Sequence, residues 1–113
     1  MKSYQLGPKC TLTAAEAITA NRFVAANGTH TVDIKAVGVA LFDTANGDPI
    51  SLQTEGFPVV EAGGTISAGN IVSMDADGKA VALTYDNVND FIKACGIAID
   101  AATDGTFLRV KLI

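Results

Sequence analysis

Val37-Gly38-Val39-Ala40-Leu41 and Cys95-Gly96-Ile97-Ala98-Ile99 carry one pattern twice: apolar, Gly, β-branched, Ala, aliphatic. Each copy runs into a polar turn with Gly at the matching place, Gly47 and Gly105. The spacing is a constant 58 residues, from 38 to 96, 40 to 98 and 47 to 105. A second echo precedes each copy: Ala17-Ile18-Thr19-Ala20-Asn21-Arg22-Phe23-Val24 against Thr65-Ile66-Ser67-Ala68-Gly69-Asn70-Ile71-Val72. Units of roughly fifty residues bury too little surface to be stable alone, so two of them imply one domain of two similar β-lobes.

The segments around the repeats read as short strands separated by turns. Ala36 to Phe42 and Ala94 to Asp100 are near-continuous apolar runs that suit buried strands. Gly38 inside such a run implies a bulge or a close backbone approach. Phe23 to Ala26 leads into Asn27-Gly28, which predicts a type I′ hairpin, with Thr31 to Ile34 as its return strand. Ile50 to Thr54 and Phe107 to Ile113 alternate with period two, so one face of each is wet. Pro58 makes Phe57 to Glu61 an edge strand, because proline donates nothing to a ladder. Ile71 to Met74, the Asp75-Ala76-Asp77-Gly78 turn and Lys79 to Leu83 form a further hairpin. Asp86 to Lys93 is the one helical candidate, with Val88, Phe91 and Ile92 at i, i+3 and i+4. About ten short strands predict an all-β barrel or sandwich. Gly7-Pro8 interrupts the start, so residues 1–13 are expected to form an extended N-terminal arm. Residues 14–113 form the domain, with the quasi-repeat divided as 14–61 and 62–113.

Composition narrows the function. The 113 residues are 49% apolar and 18% charged, with 6% aromatic and no Trp. That supports a thin Val/Ile/Leu core and a marginally stable monomer, for which oligomerisation is a natural remedy. The net charge of −4 and the scattered Lys and Arg argue against nucleic acid, which needs a basic footprint. No window approaches a membrane span and the start lacks a signal-peptide stretch, so neither a membrane nor export is expected.

No set of residues spells a reaction or a ligand. Cys10 and Cys95 have neither metal nor redox spacing and read as reduced, buried small hydrophobes; a disulfide between them stays open. His30 is the only histidine and sits beside a turn, which reads as a solvated loop residue. Aligning Gly78 with the glycine of a calcium loop puts Ser73 first and Thr84 last, without the bidentate Glu. Asn27-Gly28-Thr29 matches a glycosylation acceptor but reads as a turn. Asp43, Asp48, Asp77, Asp86, Asp100 and Asp104 all fall where turn chemistry explains them. Gly63-Gly64-Thr65 lacks the lysine of a phosphate loop. No catalytic residue, cofactor or metal site is therefore expected.

Gly64-Thr65-Ile66-Ser67-Ala68-Gly69-Asn70-Ile71-Val72, then Asp77-Gly78-Lys79-Ala80-Val81 and Gly96-Ile97-Ala98, resembles the small capsid decoration, or cement, proteins of tailed bacteriophages. The ending Gly105-Thr106-Phe107-Leu108-Arg109-Val110-Lys111-Leu112 is similar as well. The resemblance implies a lambda-type, β-tulip or β-clip-like barrel with no catalytic residues. It implies a homotrimer made in the host cytoplasm that binds the major capsid protein on the outside of an expanded head. It further implies that the arm joins a strand of the shell, although this arm is shorter than in lambda-type proteins. Tyr4, Leu6, Pro8 and Leu12 are the candidate capsid contacts, against packing within the protein's own barrel. Two other readings stand beside it: a β-clip or fibre module that recognises a host-surface glycan, and an enzyme fragment or lid.

Overall fold

The structure is a computed structural model, described for residues 9–30, 36–83 and 93–112. Among the described residues, nine strands make two antiparallel sheets. The first holds β1 (Lys9–Thr13), β2 (Phe23–Ala25), β3 (Ala36–Ala40) and β4 (Pro49–Gln53), in the order β1-β4-β3-β2. The second holds β5 (Val59–Glu61), β6 (Ile71–Met74), β7 (Ala80–Ala82), β8 (Gly96–Ala98) and β9 (Phe107–Leu112), in the order β5-β9-β8-β6-β7. No helix occurs among the described residues, and the expected helical stretch and the Thr31–Ile34 strand fall almost wholly outside them. The expected all-β fold of two similar lobes is what the chain adopts.

The second sheet repeats the pairings of the first. Phe23–Val39 and Val24–Gly38 recur as Ile71–Ile97 and Val72–Gly96. Val39–Gln53 and Ala40–Leu52 recur as Ile97–Lys111 and Ala98–Val110. Leu12–Ile50 recurs as Val60–Leu108, and the bridge Ile18–Thr44 as Ile66–Ala102. Backbone hydrogen bonds follow suit: Ala14 N–H to Asp48 O (2.8 Å) matches Ala62 N–H to Thr106 O (2.8 Å). Asn21 takes φ 62° where its counterpart Gly69 takes φ 89°, so the unit demands a left-handed residue at that turn. Each sheet also curls onto its own start. Gly63 N–H donates to Ala80 O at the start of β7, and Ala15 N–H to Gly28 O just after β2.

Matched residues fill matched cores. Leu12, Ala14, Ile18, Val24, Ala40, Ile50 and Leu52 pack in the first lobe; Val60, Ala62, Ile66, Val72, Ala98, Leu108 and Val110 pack in the second. The lobes differ in one respect that joins them. Phe23, Ala25 and Val39 point out of the first sheet into the second lobe's core and are fully buried there. A thin core of small aliphatics thus gains a large aromatic from its neighbour.

Three local expectations change. Lys9–Thr13 is not free arm but strand β1, paired along its length with β4. The Asn27-Gly28 turn is not type I′, because only Gly28 takes positive φ (80°). Gly28 N–H donates to Ala25 O and Ala25 N–H to Thr29 O, a three-residue loop with Gly in the left-handed position. Asp75 to Lys79 forms the same loop around Gly78. The third change is at Phe42, expected at the end of a buried strand; it follows β3 and is 67% exposed.

Candidate functional site

The described residues hold no cluster of three or more His, Cys, Asp or Glu side chains that could ligate a metal. His30 is half-buried and hydrogen-bonded, not the freely solvated residue its turn position suggested. Its Nδ1 lies 2.7 Å from Phe23 O, a carbonyl that only accepts, so Nδ1 carries the proton. Its backbone N–H donates to Glu16 Oε1 at 2.8 Å. Because His30 also lies against Gly78 of the second lobe, it is a lobe-junction residue with a structural duty. Cys95 is buried in the core. Asp75 closes its own turn by accepting from the Asp77 and Lys79 N–H groups (2.9 Å each), as a turn aspartate does. A shallow depression bordered by Thr65, Ser67, Thr103 and Thr106 carries hydroxyls and no ionisable side chain.

The surface that departs from ordinary solvent-facing chemistry is the outer face of the second sheet. Alternation along β5 and β9 turns Val60, Leu108 and Val110 inward and the residues between them outward. Val59 pairs with Arg109, and Glu61 with Phe107. Phe57 and Phe107 are each 55% exposed, and Val59 is 44% exposed. Ile99 borders the same face, its N–H bonded to Arg109 O. Arg109 holds Asp100 with two side-chain bonds of 2.8 Å and a backbone N–H at 3.1 Å. These bonds push the Asp100 carboxyl down to about 2 and raise the guanidinium above its ordinary value. A carboxyl with a depressed pKa gives its stabilisation fully above its unfolded value of about 4 and loses it as pH falls towards 2, so the pair is intact at neutral pH.

Where β5 meets the first lobe, a charge cluster ties the lobes together. Glu61 Oε1 accepts from Arg22 Nε and Nη2 (3.3 Å each), and Lys79 Nζ lies 3.5 Å from Glu61 Oε2. Asn21 adds two bonds, accepting from Glu61 N–H through its carbonyl and donating from Nδ2 to Val59 O. All three charged side chains are about a fifth exposed, so removing the carboxylate leaves two poorly hydrated cations. Glu61→Gln is expected to cost about 1–2 kcal/mol. The check is a lower urea midpoint at unchanged slope; an unchanged midpoint would show that the cluster is solvated.

Of the four residues named as capsid contacts, Leu12 lies in β1, half-buried against the first lobe's core. Tyr4, Leu6 and Pro8 lie outside the described residues. Sequence reading missed the outer face of the second sheet and the Glu61 cluster. The alternation of residues 107 to 112 was the available signal, since it sets Phe107, Arg109 and Lys111 on one side.

With the geometry established, comparison with known proteins adds the following. A family model described as phage cement protein matches residues 4–112. No curated protein matches the chain. Among solved structures, the chain is similar to the head fiber gp8.5 N base of bacteriophage phi29. The TM-score is 0.71 at 20% identity, over 93% of this chain and 92% of that one. At that identity the likeness speaks for the fold.

Proposed function

The chain belongs to the phage cement protein family and is a phage structural protein; on that premise we propose that it decorates the outside of an expanded head and stabilises the lattice. The observation that carries the reading is the family match over nearly the whole chain. A protein that binds the assembled lattice and not the loose subunit stabilises the lattice by mass action. We propose a homotrimer, which touches several capsid subunits at once and gains avidity from modest contacts. The working partner is the major capsid protein, with no role for nucleic acid or membrane, and the site of action is the virion exterior. The β-tulip-like description and the arm as a capsid contact belong to the same proposal.

Co-sedimentation of the purified protein with undecorated heads tests it. Saturable pelleting, and heads that resist heat or low salt better when loaded, are expected. Protein that stays in the supernatant and binds cell-surface glycans would move the reading to a receptor-binding module. A truncation tests the arm as a capsid contact. Removing residues 1–8 deletes Tyr4, Leu6 and Pro8 but leaves β1 and Leu12 in place. That truncation is expected to fold normally and to bind heads at least tenfold more weakly. Head binding at full strength would remove the arm from the contact.

A further inference from the structure

The register match between the lobes extends through the loops around the hydroxyl-lined depression of the second lobe. Ile18 N–H to Thr44 O (2.8 Å) and Thr44 N–H to Ile18 O (2.9 Å) recur as Ile66 N–H to Ala102 O (2.8 Å) and Ala102 N–H to Ile66 O (2.9 Å). Asn21 N–H to Ala40 O recurs as Gly69 N–H to Ala98 O, and Asp48 N–H to Ala45 O as Thr106 N–H to Thr103 O. Ala20 is therefore the counterpart of Ala68, and Asp43 the counterpart of Ala101.

On this matched backbone the side-chain chemistry is exchanged. In the first lobe the Asp43 carboxylate reaches across and accepts from Ala20 N–H at 2.8 Å. In the second lobe Ala101 has no acceptor to offer, and Ala68 N–H meets no partner among the described residues. Hydroxyls stand nearby where the first lobe has none: Thr65 for Ala17, Thr103 for Ala45 and Thr106 for Asp48. With Ser67 and Ala101 they line a depression of about 390 Å³, large enough for a small organic acid. Thr106 Oγ1 is already engaged with the Thr103 main chain, at 2.7 and 2.9 Å. The hydroxyls of Thr65, Ser67 and Thr103 are left as side-chain donors beside the amide.

From this exchange we infer that the depression beside Ala68 and Ala101 is a carboxylate-binding site. A ligand carboxylate takes, in the second lobe, the place that the Asp43 side chain takes in the first. An ionised acceptor suits the site because it only accepts, and hydrogen bonds to it are roughly twice as strong as those between neutral groups. The Asp100 carboxylate next in the chain does not compete, since Arg109 holds both of its oxygens. Asp104 lies exposed in the adjoining turn and repels an anion, where the first lobe carries Asn46. The ligand also displaces water from an exposed amide, so binding is weak and reversible. The carboxylate has two sources of the same chemistry: a small hydroxy acid such as a sugar acid, or an acidic side chain of another polypeptide. The inference goes beyond the cement reading and does not depend on it, because heads take no part in its test.

The test is nuclear magnetic resonance of the whole chain titrated with sodium acetate, against sodium chloride at equal ionic strength. The Ala68 amide signal is expected to shift saturably with acetate alone, at a midpoint on the order of millimolar, which a ligand of a few atoms can reach. Ala101→Asp gives the second lobe the first lobe's own carboxylate at an exposed position. It is expected to weaken the acetate response about tenfold, by filling the site from within, and to leave the other amide signals in place. Should Ala101→Asp disturb the fold, Thr65→Ala combined with Thr103→Ala, which installs the first lobe's residues, is expected to weaken the response about threefold. No saturable shift at Ala68, an equal shift with chloride, or an unchanged response in either folded variant overturns the inference. Glucuronate and N-acetylaspartate amide, titrated in the same way, separate the sources. Tighter binding of the first supports a sugar acid at this site, and tighter binding of the second supports an acidic side chain.

Discussion

Gly96→Ala is expected to lower stability by about 2–3 kcal/mol and the melting temperature by on the order of 10 °C. The reason is a single missing atom. A Cβ at residue 96 would lie 2.5 Å from Lys111 O and collide with Val110 Cγ1. The carbonyl belongs to the neighbouring strand β9, which is fixed on its other side by β5. Relief therefore requires parting two strands over the core, not turning a rotamer. Gly38 faces the same obstacle, with Gln53 O 2.6 Å from its hypothetical Cβ. Gly64→Ala is the matched control, because nothing lies within 4 Å of that Cβ and its φ is not positive. It is expected to be neutral or slightly stabilising, by restricting the unfolded chain. Thermal denaturation of the two variants side by side decides the matter. Equal melting temperatures would mean that β8 and β9 are looser than their hydrogen bonds indicate.

Phe23→Ala is expected to cost about 3–5 kcal/mol, the range for deleting a fully buried aromatic. Phe23 leaves the first sheet and fills the second lobe's core, so its loss opens a cavity at the lobe junction. Its backbone stays pinned, with N–H on Gly78 O at 2.7 Å and carbonyl on His30 Nδ1 at 2.7 Å, so collapse around the cavity is restricted. Domains of this size have only about 5–15 kcal/mol to lose. The variant is expected to unfold in two steps, or at a much lower denaturant midpoint, and to expose the lobe junction to proteolysis. Phe42→Ala, at a side chain 67% exposed, is expected to change stability by less than about 0.5 kcal/mol. If Phe23→Ala is as mild as that, the lobes are held by the Glu61 cluster and not by apolar packing.

Much of the fold was legible because β-structure advertises itself locally. The recurrence of apolar-Gly-β-branched-Ala-aliphatic around Gly38 and Gly96 marked two equivalent strands, and the two glycines do occupy matched register positions. Turn residues at Gly47, Gly78 and Gly105 marked reversals, and each takes positive φ. Hairpin type was misjudged at Asn27, since Asn-Gly also serves a loop in which only Gly is left-handed. The role of Lys9–Thr13 was misjudged too. An edge strand whose partner, β4, lies some forty residues on gives no local sign of pairing.

By itself, then, the sequence determined the strand and turn grammar, the duplication and the family, all of which reside in neighbouring residues or in a repeated order. The tertiary structure decided what joins the lobes and which surface is left over. That Arg22 meets Glu61 and Lys79, that His30 serves a carbonyl of Phe23, and that Phe23 serves the other lobe's core depend on how the sheets curl together. Alternation tells that Phe107 and Leu108 face opposite ways. Which of the two ways is water depends on long-range packing, and that is why the exposed face of Phe57, Val59 and Phe107 emerges only in the folded chain.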